Sequence, residues 1–300
     1  MNDRETATLF EEVGYRLLCL SAKVLPADVT AAIREAAERE RSVTARAQLQ
    51  AILENIDVAC RDDLGICQDT GVPLFFVSWG LKSGLLTDIR APLAEAVKRA
   101  TKDVPLRPNV IHPLTLENPG TNVGWGMPHV YWDVDPGSDV IEILAVPKGF
   151  GAEAKSSLAF VVTSEDMEKA LIRCVLDNVL MAQGEACAPN IIGVCMGGTG
   201  DIALHMAKKA VFRSPVGALH KDPSLASLER KILEAVNDTG IGPMGLGGDT
   251  TALAVHLEIC GTHTAVAPVG ICFQCWANRY AAARIFPDGR VVYLTHEVLS

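Results

Sequence analysis

The chain has 300 residues, 49% hydrophobic and 21% charged, with 25 Gly and 16 Pro. These proportions suit a globular protein with a large core and exclude the disordered and collagen-like classes. The formal charge of −9, from 27 Lys and Arg against 36 Asp and Glu, excludes the broad basic field of a nucleic-acid footprint and requires any anion site to be locally basic.

The first hundred residues read mainly as helix. Leu9, Val13 and Leu17 recur at helical spacing over 6–20. Pro26 and Asp28 open a second helix to Arg39, and Ser42 caps a third that runs to about Val58 on Ala45, Leu49, Ile52, Leu53 and Ile56. A polar turn at 61–65 and the segment Cys67-Gln68-Asp69-Thr70-Gly71 precede a predicted strand over 73–79, and 88–102 reads as another helix. From Val104 the runs shorten, and Gly and Pro become denser. Strands are predicted over 140–146, 191–196, 251–259 (half-buried, by its alternation) and 265–273. Helices are predicted from Thr163-Ser164-Glu165-Asp166 to about Ala182, and over 201–211, 224–237 and 278–285. Pro287-Asp288-Gly289 turns into a last strand over 290–294. There is no internal repeat. The pattern predicts an α/β (mixed α+β) protein, with a mainly helical N-terminal subdomain (1–103) packed on a mixed-sheet core with glycine-rich turns (104–300).

No run approaches the roughly 18 apolar residues of a membrane span. The first twelve residues carry Asp3, Arg4, Glu5, Glu11 and Glu12, unlike a signal peptide, so a cytoplasmic location is expected. Glycine-rich turns lie at 148–151, 197–200 and 240–248. A strand, glycine turn and helix together aim backbone N–H groups at an anion; the plain alternative is tight turns beside close-packed backbone. Gly240, Gly242 and Gly245 spell G-x-G-x-x-G, but after a helix and before a strand, the reverse of the dinucleotide fingerprint.

Nine cysteines stand at 19, 60, 67, 174, 187, 195, 260, 272 and 275. An odd count without a signal peptide argues against a disulfide framework, and the plain reading is mostly buried, reduced thiols. Cys19 and Cys174 fall in helical stripes. Cys67, Cys187 and Cys275 fall at element ends, where side chains converge on a crevice. Cys272-x-x-Cys275 lacks the second pair that a structural zinc needs.

Cys67-Gln68-Asp69-Thr70-Gly71, Ala186-Cys187-Ala188-Pro189, Gly197-Gly198-Thr199, the run 240–248, Thr262-His263 and Cys275-Trp276-Ala277-Asn278-Arg279 occur in that order. Together they resemble the class I (iron–sulfur) fumarate hydratase and tartrate dehydratase family from about residue 10 to residue 295. The resemblance implies a [4Fe–4S] cluster held by Cys67, Cys187 and Cys275, with one iron left open as a Lewis acid. It implies that Gln68, Arg107, His263 and a glycine turn at Gly149 or Gly151 bind a small dicarboxylate, and that Asp69 and His263 serve catalysis. Lys148 and Arg279 would add positive charge, and Trp276 and Asn278 would shape the wall.

Each has a plain alternative: Arg107 as a surface arginine on a Pro-rich loop, His263 as a structural histidine, Asp69 as the cap of its own turn. Ala188, where a second proline is common, and Phe150 within the glycine turn depart from the family pattern. Single-chain members continue into a second domain, so this chain resembles the α subunit of the two-subunit form. A β subunit would then complete the site, in an α2β2 or similar assembly. The implied reaction is reversible dehydration of (S)-malate to fumarate. L(+)-tartrate dehydratase and branched-malate dehydratase are the nearest rivals. A non-catalytic cluster-binding subunit is the rival of another class, against which Asp69, Arg107 and His263 stand.

Overall fold

The computed structural model describes residues 2–85 and 88–296. Three helices come first: α1 (Asp3–Lys23), α2 (Ala27–Arg39) and α3 (Val43–Arg61). A capping box starts α1, with Asn2 Oδ1 accepting from the Glu5 N–H and the Glu5 carboxylate accepting from the Asn2 N–H. Ser42 Oγ accepts from the Ala45 N–H at 3.3 Å, the cap expected for α3. Then follow β1 (Val72–Gly80), α4 (Arg90–Asp103), β2 (His129–Asp135), β3 (Ile141–Lys148), α5 (Phe150–Glu153), β4 (Ser157–Val162) and α6 (Met167–Ala182). The rest is β5 (Asn190–Met196), α7 (Gly200–Ala210), α8 (Pro223–Asn237), β6 (Ala252–Ile259), β7 (Val266–Gln274), β8 (Ala281–Ile285) and β9 (Val291–Tyr293). The fold is mixed α/β. Among the described residues, no helix is long and apolar enough to cross a membrane.

Two compact units interleave along the chain. One takes 1–27, 55–149 and 279–300, the other 28–54 and 150–278. The cause is strand pairing. In the first unit the sheet runs β2-β1-β3-β8-β9, so β8 and β9 return to a sheet begun two hundred residues earlier. Here β1 is parallel to β2 and antiparallel to β3. The buried stripe of α1 (Phe10, Val13, Leu17, Leu18) joins Leu93 and Val97 of α4 and Phe75, Ile143 and Ala283 of the sheet in one core. In the second unit the sheet runs β4-β7-β5-β6, with β5 parallel to β6 and antiparallel to β7. Val175, Val179, Ile192, Val194, Ile232, Leu257 and Ile271 build its core.

Three expectations are corrected. The helix predicted over 278–285 is instead strand β8. Its alanines have high helix propensity, but pairing with β3 wins: Ala281, Ala283 and Ile285 are buried, and Arg284 meets its register partner Glu142 at 2.8 Å. The β6 strand is buried on both faces, because α7 and α8 both pack against it. Of the nine cysteines, none in a disulfide, only Cys195 and Cys272 are buried, and Cys60 is exposed. Burial and the neighbouring Cys260 push the Cys195 thiol up to about 12. Strands β2 and β4 were not foreseen.

Candidate active site

The Cys67-Gln68-Asp69-Thr70-Gly71 segment lies in the first unit between α3 and β1. Buried Ile66 anchors it: its N–H donates to Ala22 O, and its carbonyl accepts from Asn55 Nδ2. Gly71 is needed at its end. It has φ +82°, and a Cβ there would lie 2.6 Å from the Pro147 carbonyl. Cys67, Gln68, Thr70 and Arg107 line an open cleft of about 520 Å³.

Two asparagine amides, half-buried Asn109 and buried Asn122, fix the polar groups around this cleft. Asp69 Oδ1 accepts from the Gly71 N–H and from Asn109 Nδ2, both at 3.0 Å. The turn-capping role is therefore real, and it orients the carboxylate. Arg107 is pinned through its backbone: its N–H donates to Thr70 Oγ1 at 2.9 Å, and its carbonyl accepts from Asn122 Nδ2 at 3.1 Å. Asn122 is wholly buried at φ +57°, a conformation its short amide tolerates, and its Oδ1 accepts from the Asn109 N–H at 2.7 Å. The Arg107 side chain remains exposed. Sequence reading gave Asn109 and Asn122 no role. Asn109, two residues past the arginine on the same loop, could have been suspected, whereas Asn122 carries no local signal.

Gly149, also in the first unit, puts no side chain between two polar groups. A Cβ there would lie 3.4 Å from Arg279 Nη2 and 3.6 Å from Asp69 Oδ2. Gly151 is in the second unit, where a Cβ would lie 3.9 Å from Cys187 Sγ and 3.3 Å from Glu185 O. One turn thus leaves room at two of the expected site groups.

In the second unit Cys187 precedes β5 at φ +56°, and Cys275 follows β7. Ile191 pairs with Gln274, so both thiols stand at one end of the four-stranded sheet. The Trp276 N–H donates to Cys187 O at 3.1 Å, tying the two loops together. His263 belongs to the β6–β7 connection at the opposite end of that sheet, where its Nδ1 accepts from the Ala265 N–H. A seven-residue strand separates the ends, about 20 Å at ~3.3 Å per residue. The run at 240–248 is a set of tight turns: the N–H groups of Gly242, Met244, Gly245, Gly247 and Gly248 are all spent on protein acceptors.

Thiols are soft donors suited to iron–sulfur ligation once deprotonated. Cys67, Cys187 and Cys275 form no disulfide and are all partly buried, and Gly151 keeps space beside one of them. Buried polar atoms without partners among the described residues include, next to Cys275 in the sequence, Gln274 Oε1 and Nε2 and Asn278 Oδ1. This donor set fits a cluster, and such orphaned atoms mark a site prepared for something more than protein. Among the described residues, no three His, Cys, Asp or Glu side chains are already grouped as a metal site.

Comparison with known proteins agrees with this pattern. The profile of the fumarate hydratase (Fumerase) family matches residues 12–284. A protein of Methanocaldococcus jannaschii, provisionally named L(+)-tartrate dehydratase subunit alpha, is 46% identical over 283 residues, 93% of this chain and 99% of the relative. The L(+)-tartrate dehydratase subunit alpha of Escherichia coli UTI89 is 30% identical over 295 residues, 98% and 97% of the two chains, and that of E. coli K12 is 29% identical over the same length. The chain belongs to the fumarate hydratase family and is a hydro-lyase alpha subunit by kinship.

Proposed function

We propose that this chain is the α subunit of an iron–sulfur hydro-lyase that dehydrates a four-carbon 2-hydroxy dicarboxylate, (S)-malate to fumarate in the first reading. One observation carries it: two residues from Cys67, the Asp69 carboxylate is oriented by the Asn109 amide, and the Arg107 backbone is held by Thr70 and the buried Asn122 amide. Such preorganisation suits proton transfer and anion binding.

Cys67, Cys187 and Cys275 would hold a [4Fe–4S] cluster, which when bound supplies the Lewis acid that makes hydroxide a better leaving group. Arg107 projects into the cleft and takes a substrate carboxylate, with Gln68 donating beside it. Asp69, oriented through Oδ1, moves the proton at Oδ2, and Gly149 leaves room on that side. A β subunit supplies the remaining contacts, as the alpha-subunit names of the relatives suggest. His263, on the β6–β7 connection, is the remaining substrate-contacting and catalytic candidate; a fall in kcat/KM in His263→Asn with iron and sulfide unchanged is the expected result, and an unchanged kcat/KM removes it from the set.

L(+)-tartrate is the second reading, favoured by the names of the relatives. One hydroxyl on the substrate is worth only ~1–3 kcal/mol in a pocket not built to bind it, so the two substrates are separated by assay. The test is iron and acid-labile sulfide per chain after anaerobic reconstitution, for the native chain and Cys67→Ser side by side, then malate against tartrate with the β partner. About four of each per chain, lost in the variant, supports the reading. Equal iron in both, or none in either, ends it.

A further inference from the structure

We propose that Arg279 is a further substrate-binding residue, the seat of one carboxylate of the dicarboxylate. The inference rests on the proposed function and assigns a second arginine to the same substrate.

Arg279 lies in the first unit and is 1% exposed. Its Nε and Nη1 are wholly buried with no hydrogen-bond partner among the described residues. A guanidinium carries five N–H donors and no acceptor, so this buried cation has unmet donors. Buried charges are otherwise paired or hydrogen-bonded. The missing partner must be an acceptor that carries negative charge. Its approach is marked by Gly149, because no side chain fills the space beside Nη2, where a Cβ would stand at 3.4 Å. A planar carboxylate matches the fork of donors that guanidinium presents. The same Cβ position is 3.6 Å from Asp69 Oδ2, so a carboxylate seated on Arg279 would lie close to the proton-transfer group.

The test uses the αβ complex with native α, Arg279→Gln, Arg279→Lys and Gly149→Ala. The Gln variant is expected to keep native iron and sulfide, to raise KM roughly 10- to 100-fold, and to leave kcat within about threefold, the signature of lost uniform binding. The Lys variant keeps the charge and recovers part of the loss. The Ala variant makes only ordinary contacts, folds normally, and raises KM by closing the gap. In the α chain alone, Arg279→Met is expected to melt no lower than native, because it removes an unmet buried charge, and malonate is expected to raise the melting temperature of native chain but not of Arg279→Gln.

A lower melting temperature in Arg279→Met with unchanged KM in Arg279→Gln would make the arginine structural and overturn the proposal. Loss of iron and sulfide in Arg279→Gln would assign it to the cluster, with the same consequence. If the native complex dehydrates neither malate nor tartrate, the proposed function fails by itself, and malonate protection still decides the anion seat.

Discussion

Two arginines are withdrawn from water in opposite ways. In the second unit, Arg213 donates from Nη1 to Glu229 at 2.5 Å and from Nη2 to Glu258 at 2.6 Å and Leu257 O at 3.0 Å. Glu229 is itself completed by the N–H groups of Leu257 and His220. Burial opposes the Arg213 charge, but its two carboxylates outweigh burial and raise its pKa above the ordinary value. In the first unit, Arg279 is buried more deeply, yet two of its nitrogens have no partner among the described residues. The contrast separates a closed ion pair, whose interactions are complete within the fold, from a cation left open for a ligand.

The sharpest way to break this contrast is to remove the chemistry that the open region serves. Cys67→Ser is expected to abolish dehydration together with iron binding; full activity in that variant would detach the cleft from catalysis. Asp69→Asn is expected to lower kcat by about 10²- to 10⁴-fold while iron, sulfide and circular dichroism stay native, and a kcat within twofold of native would deny it a role in proton transfer. On the closed side, Arg213→Met leaves Glu229 buried without its cation, and a loss of about 3–5 kcal/mol is expected in urea unfolding. A neutral result there would erase the distinction from Arg279.

The smallest effect concerns pH. His256 Nδ1 donates to Ala210 O at 2.9 Å and Nε2 accepts from the Gly217 N–H at 3.3 Å, so the neutral ring is fully satisfied. Burial, above all, pushes its pKa below the ordinary 6.5. The folded state therefore binds this proton less readily than the unfolded chain. The stability it contributes is complete above about pH 6.5 and is lost as pH falls through the lowered value. Urea midpoints should decline on acidification, less steeply in His256→Gln; equal slopes would remove this histidine from the account.

Much of the fold was legible because the periods are strong. The stripes of α1, α3 and α8 and the short apolar run of β5 announced themselves. β2 also alternates, with Val130, Trp132 and Val134 on one face, but only Val130 is buried in this edge strand, so hydrophobicity did not mark it. β8 failed because alanine is ambiguous until its partner strand is known. At the site, the cysteines and Arg107 came from motif order. The asparagines that hold Asp69 and Arg107 lie up to 53 residues away along the chain, between positions 69 and 122, and only the folded backbone brings them together. Arg279 came with the motif that begins at Cys275, but its deep burial, with two nitrogens lacking partners among the described residues, is visible only in the fold.

The interleaved strand order also bears on how the protein is made. β3 emerges from the ribosome long before β8, and the whole stretch 150–278 comes between them. Throughout that interval the edge at 141–145 presents unpaired backbone groups, a template for another chain. Residues 28–54 are already available when 150–278 emerges, so the second unit can close first while the first waits for 281–293. A nascent chain stalled before residue 281 would hold a bare strand edge beside a largely finished neighbour, and that edge is where aggregation would begin.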